Sequence, residues 1–219
     1  MSNREIVVKG IGKISAAPDF IVLTMTLEVV EPDYEKTMRR SGDLLEALRS
    51  AIASVGHDGK ILKTTSFKIN TKYERYKKND TWKQRFNGYA CTQELRLEFD
   101  LDMSMLGMTL RAIAECDAEP IFNIQFSIKD QNVVSEQLLI DAVENAKWKA
   151  SVLAKSAGAK LGAIQRIDYN WSELRLYSDT NINMLEAAPA YSARSSTIIN
   201  IQPEDIKVRD TATVVWAIE

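Results

Sequence analysis

The 219 residues include one histidine, two cysteines and five prolines, and no apolar run nears the roughly 18 residues that a membrane-spanning helix requires. One histidine and two scattered cysteines are poor material for a zinc centre, which takes three or four nitrogen or sulfur ligands. Cys91 and Cys116 form neither a C-x-x-C pair nor a disulfide framework, so both are expected to be buried free thiols packing as small hydrophobes. An excess of one charge is also missing. Twenty-eight Lys and Arg face 30 Asp and Glu, a net charge of -2, so no global positive field draws the chain to nucleic acid or to an anionic membrane. Residues Met1 to Glu5 lead straight into Ile6-Val7-Val8 with no apolar export segment or cleavage site. As given, the chain is expected to be cytoplasmic, or periplasmic or secreted if a signal peptide has already been removed.

What is present describes a folded globular protein, with 45% hydrophobic and 26% charged residues and enough length for one large domain or two small ones. Residues 5–15 and 20–30 read as strands parted by Pro18, the second with Ile21, Leu23, Met25, Leu27 and Val29 on one face. A helix is expected over 33–55, between Pro32 and Gly56, with a face of Tyr34, Met38, Leu45, Leu48, Ile52 and Val55. Strands follow at 61–76 and 86–101, joined by a hairpin around Asn79-Asp80. The second alternates Tyr89, Cys91, Gln93, Leu95, Leu97, Phe99 and Leu101 against polar neighbours, as a half-buried antiparallel strand does. A short helix at 104–116 and a strand with Phe122, Ile124, Phe126 and Ile128 come next.

The longest helix spans 130–157, with a stripe of Leu139, Ala142, Ala146, Ala150, Leu153 and Ala157. Alanines in that stripe permit close approach to a sheet, and Gly158 suits a helix stop. Ile164, Ile167, Tyr169 and Trp171 mark a strand region, and Ile206, Val208, Ala212, Val214, Trp216 and Ile218 share one face of the last strand. Residues 172–196 read as a long polar loop. The fold class is α+β: antiparallel sheet packed by helices, in a single domain over 1–219. A weak repeat of strand, helix, strand, strand runs over about 20–101 and 121–218, joined by the short helix.

No catalytic, cofactor-binding or metal-binding set emerges. His57 sits in "VGHDGK", a polar turn, and reads as an exposed turn residue; no G-x-S-x-G motif accompanies it. Glu94, Glu98 and Asp100 share a strand face and read as a solvated row. "GIGKIS" at 10–15 resembles a phosphate loop only superficially. A Walker loop needs Gly-Lys followed at once by Ser or Thr, and a helix to open there. Gly10 and Gly12 therefore read as strand glycines where another element comes close.

One segment stands out, "NTKYERYKKNDTWKQRFNGY" at 70–89. Basic Arg75, Lys77, Lys78, Lys83 and Arg85 interleave with Tyr73, Tyr76, Trp82 and Phe86. These nine residues are the candidate partner surface. Three readings remain open: cross-strand packing on a protruding hairpin, a protein contact surface, or stacking and phosphate contacts with single-stranded nucleic acid.

Four stretches in order resemble the SIMPL-domain family. They are "VVKGIGKISAAPDFIVL", then "YERY" with "NGYACTQELRLEFDL", then "AVENAKWKASVLAKSAGAKLGAI", and finally "IQPEDIKVRDTATVVWAI". The family often carries P-G-E near its end, whereas Gln202-Pro203-Glu204-Asp205 has no glycine. The resemblance implies a protein without an established catalytic residue set. Its relatives include periplasmic or outer-membrane-associated immunogenic proteins, channel-like oligomeric rings, contributors to oxidative-stress tolerance and an adaptor to a signalling kinase. The expectation is a non-enzymatic, self-associating interaction protein, a homo-oligomer without cofactor. Two alternatives stay open: a nucleic-acid-binding module using the basic-aromatic hairpin, and an enzyme with an unrecognised site.

Overall fold

The computed structural model describes residues 4–78, 80–169, 174–184 and 201–219. It is an α+β fold of antiparallel sheets packed by helices. The strands are β1 (Glu5–Ala16), β2 (Phe20–Glu31), β3 (Lys63–Lys78), β4 (Thr81–Asp100), β5 (Ile121–Ser127), β6 (Leu161–Tyr169), β7 (Tyr177–Met184) and β8 (Ile206–Ile218). The helices are α1 (Tyr34–Ser54), α2 (Met103–Glu115) and α3 (Gln131–Ser156). An aspartate caps the start of each helix: Asp33 accepts from the Lys36 amide, Asp102 from Ser104 and Met105, and Asp130 from Asn132 and Val133. The described residues fall into two compact units, one drawn from 4–19, 127–179 and 203–219, the other from 20–126 and 180–202.

In the first unit α3 lies on the sheet β1-β8-β6. Val8, Gly10, Gly12 and Ile14 alternate toward the helix. A Cβ on Gly10 would collide with the Ala142 carbonyl oxygen, and one on Gly12 with that of Leu138. The strand glycines thus let the helix backbone rest almost directly on the strand. Around them Val8, Ala146, Ala150, Val214 and Trp216 close one small core. Ile128, Val134, Leu138, Leu176 and Ile206 close another. The helix ends on Gly158 in the left-handed region, with the Ala159 amide bonded to the Ala154 carbonyl at 2.9 Å, a Schellman closure. Asp19 ties the entry to α3, its carboxylate accepting from the Lys129 amide at 2.7 Å.

In the second unit the sheet order is β3-β4-β2-β5-β7. Its core is Leu- and Ile-rich: Ile21, Leu23, Met25 and Leu27 of β2, Leu95 and Leu97 of β4, and Leu48 and Ile52 of α1 meet Leu106, Ile113, Ile124 and Phe126. A polar seam runs beside it. Gln93 is buried on the apolar face of β4 because its amide donates to the Ser41 carbonyl at 3.2 Å, and the Ser41 hydroxyl meets Cys91 Sγ at 3.1 Å.

Several expectations change. On α1, Tyr34 and Met38 are exposed, and Thr37 and Ser41 take the buried positions above Leu48 and Ile52. On α3 the buried stripe is Val134, Leu138, Ala142, Ala146, Ala150 and Ala154, a strict four-residue spacing. Leu139 is only half-buried, and Leu153 and Ala157 are exposed. The segment expected to be a loop over 172–196 contains β7; much of the rest of it, and Trp171, lies outside the described residues. Residues Gly59–Ile61 form a single 3-10 turn before β3. Cys91 is buried as expected, whereas Cys116 is only partly so.

Helix, edge strand and central strand recur as α1-β3-β4 and α3-β6-β8, but the strand before each helix does not follow suit. β5 joins the second sheet, and β1 fills the corresponding place beside β8. The chemistry accounts for this exchange: β5 carries Phe122, Ile124 and Phe126 for the large core, whereas α3 needs the bare backbone of Gly10 and Gly12.

Candidate interaction surface

The candidate residues lie on the far part of the β3–β4 hairpin. β2 pairs with β4 only as far as Glu31 opposite Tyr89. One residue further along β4, Gly88 has φ of +116°, and a Cβ there would collide with the Glu31 carbonyl oxygen. Gly88 therefore turns β4 past the end of β2. A register shift between Lys72 and Tyr73 leaves Asn87 without an opposite number, a bulge that twists the hairpin. Beyond it the two strands continue as a two-stranded arm to Lys78 opposite Thr81. Asp80 takes a left-handed conformation in the turn; Asn79 lies outside the described residues.

The register sorts the nine residues onto two faces. One face pairs Tyr73 with Phe86, Arg75 with Gln84, and Lys77 with Trp82. The other pairs Glu74 with Arg85 and Tyr76 with Lys83. An aromatic chain runs along the first: Tyr73 meets Phe86 edge-on at 6.0 Å between ring centres, Phe86 meets Tyr89 at 5.3 Å, and Tyr89 meets Tyr34 at 5.5 Å. Trp82 is 68% exposed and Tyr73 56%. Arg75, Trp82, Lys83 and Gln84 line a depression of about 400 Å³.

Much of the positive charge is already engaged. Arg85 donates to Glu74 through Nε at 3.0 Å and Nη2 at 2.8 Å, with its guanidinium 5.8 Å from the Tyr76 ring centre. Lys77 pairs with Asp80 and Lys72 with Glu28. Among the described side chains of the arm, Arg75 and Lys83 make no ion pair; the Lys78 side chain lies outside the described residues. Cross-strand packing and exposed aromatic side chains therefore coexist on one arm.

His57 is not the exposed turn residue the sequence suggests. It is half-buried, its ring 4.8 Å from that of Phe99, and its Nε2 lies 2.8 Å from Thr109 Oγ1. Thr109 donates its hydroxyl proton to the Met105 carbonyl, so its oxygen accepts from an Nε2–H tautomer of His57. Burial holds the imidazole below its ordinary pKa. The expected carboxylate row is broken by Arg96, which pairs with Glu98. Among the described residues no three His, Cys, Asp or Glu side chains come together as a metal site, and no helix is long and apolar enough to cross a membrane.

Two features carry no signal in the sequence. The outer edge of β1 is held by α3: the Ile11 amide donates to Asn145 Oδ1 at 3.0 Å, and Lys149 Nζ donates to the Lys9 carbonyl at 3.0 Å. Asn145 and Lys149 lie within the third of the stretches that resemble the family, but neither composition nor periodicity signals that they bond β1. The outer edge of β3 has no such cover among the described residues, because β3 ends its sheet and no side chain is bonded to its outward backbone.

The family described as "SIMPL: Protein of unknown function (DUF541)" matches residues 6–216. No curated protein matches the chain. Residues in the stretches that carry the resemblance have architectural duties here: Gly10 and Gly12 admit α3, Asp19 holds the start of that helix, Gly88 releases the arm, and Gly158 closes α3.

Proposed function

The chain belongs to the SIMPL family, and on that premise we propose that it is a non-enzymatic interaction protein that associates with copies of itself, with stress tolerance as the process the resemblance implies. The observation that carries this reading is the arm, a two-stranded projection bearing exposed aromatics and a local excess of positive charge. Residues 72–88 hold six Lys or Arg against Glu74 and Asp80, in a chain whose net charge is -2. The remainder of the chain therefore carries six net negative charges, and the arm is a local departure from the charge of the rest. Exposed Tyr, Trp and Arg are the residue types enriched where proteins meet. The architectural duties of the family landmarks support the same reading, since they leave no motif to assign to a reaction.

Light scattering coupled to size-exclusion chromatography tests it. At tens of micromolar the mass should be a multiple of 24.7 kDa. A strict monomer would overturn the proposal. A second reading, single-stranded nucleic acid on Trp82, Arg75 and Lys83, is favoured by their shared depression. Salt-sensitive binding of single-stranded RNA, abolished by reversing Lys77, Lys78 and Arg85, would transfer the function to that reading.

A further inference from the structure

Two outer strands invite comparison as templates for an added chain. The edge of β1 is occupied at its middle by Asn145 and Lys149. Among the described residues the edge of β3 is open, and β3 is 16 residues long. It contains no proline, and its register shifts leave residues 66–76 as an unbroken run. Such an edge is a ready place for one more strand. Its apolar side chains are also uncovered, with Phe67 49% exposed as well as Tyr73.

We infer that the occupant of this edge is β3 of a second copy, paired antiparallel about a two-fold axis at Thr71. This inference rests on the self-association proposed above and names its surface. The sequence "SFKINTKYERY" at 66–76 is complementary to its own reverse. Centred on Thr71, Lys68 stands opposite Glu74, Phe67 opposite Arg75, Ile69 opposite Tyr73, and Asn70 opposite Lys72. Each pairing occurs twice, once on either side of the axis, as an isologous interface requires. No like charges are opposed. Shifting the sum of paired positions up by one sets Lys68 against Arg75, and up by two sets Lys72 against itself. Shifting it down by one brings Lys63 against Lys78, and down by two Lys68 against Lys72.

The two faces then divide the work. On one face Phe67, Ile69 and Tyr73 of both copies form two apolar patches, one on either side of the Thr71 pair, that extend the ring contacts of Phe86 and Tyr89. On the other, Glu74 sits between its own Arg85 and the Lys68 of the second copy. Opposed ion pairs and aromatic pairs across strands are the units that stabilise and register such an addition.

A charge swap tests the register. Lys68→Glu sets two carboxylates together at both ends of the axis, and Glu74→Lys sets two ammonium groups together. Each should weaken association about tenfold or more in sedimentation velocity, and the double variant K68E/E74K should recover it. A cross-link gives an independent reading: directly opposed residues in antiparallel strands have Cα atoms about 4.5–5.5 Å apart, within disulfide reach. T71C, with Cys116 replaced by alanine, should oxidise to a covalent dimer, whereas K63C should not. Parent protein that associates while both single charge variants do so equally well, or a T71C variant that stays monomeric on oxidation, overturns this site and leaves self-association standing. A parent that is monomeric throughout overturns both.

Discussion

The sheet under α3 and the sheet under α1 are both antiparallel, yet each helix is held to its sheet differently. In the first unit contact is made by removal: two strand glycines and a run of helix alanines bring backbone against backbone. In the second, contact is made by filling, with leucine and isoleucine toward the end of α1 and a hydrogen-bonded seam of Ser41, Cys91 and Gln93 where a small polar helix face meets the strand. Backbone contact has no slack, because a carbonyl group cannot rotate away as a side chain can. Side-chain contact yields by repacking. The two regions should therefore respond differently to substitutions of similar size.

The largest expected effect is at Gly10. Gly10→Ala puts a methyl group inside the van der Waals envelope of the Ala142 carbonyl, and urea unfolding should show a loss of about 3 kcal/mol. Stability equal to the parent would mean that α3 retreats freely and that the backbone contact constrains nothing.

Next is the polar seam. Ser41→Ala removes one acceptor from the buried Gln93 amide and the partner of Cys91, at a cost of about 2 kcal/mol. Gln93→Leu in the same background should cost much less than in the parent, since both partners are then apolar. Additive effects in that double-mutant cycle would show that the seam does not act as a unit.

A smaller change, of opposite sign, separates exposed helix glycine from packed strand glycine. Gly42 lies in the interior of α1, and a Cβ added there would meet nothing within 4 Å. Gly42→Ala should raise stability by about 1 kcal/mol. A loss there would place an unseen neighbour on that face of α1.

The smallest effect belongs to His57. Its folded pKa lies below the ordinary 6.5 because of burial. The unfolded chain thus takes up the proton first as pH falls. The stability this histidine contributes is present above pH 6.5 and is lost between 6.5 and the lower folded value. His57→Gln, which keeps a donor for Thr109, should flatten that part of the stability–pH curve in urea titrations run on either side of the ordinary histidine pKa. An unchanged slope would remove the histidine from the account.

Much of the fold is readable from local pattern. Period-two alternation locates β2 and β4, and Pro32, Gly56 and Gly158 bound two helices within about a residue or two. The arm is legible as a polar turn between two aromatic, basic strands. What escapes is set by partners far along the chain. Gln93 looks like an interruption in an apolar face until Ser41, 52 residues away, supplies its acceptor. Periodicity puts Leu139 and Leu153 in the α3 stripe, a residue off, because it cannot tell which side of an alanine-rich helix meets a sheet. β7 leaves no apolar trace, since "YSDTNINM" is polar and its strand character comes from pairing at a sheet edge.

By itself the sequence determined most of the elements and the stops of α1 and α3, because each depends on residues within a turn or two of one another, and four stretches in order along the chain pointed to the family. Tertiary structure decided which strand lies under which helix, sending β1 rather than β5 to α3. It also decided which buried polar groups find partners, and which strand edge stays open among the described residues. Those outcomes depend on shape and hydrogen bonding between segments far apart in the chain, where spacing along the sequence carries no information.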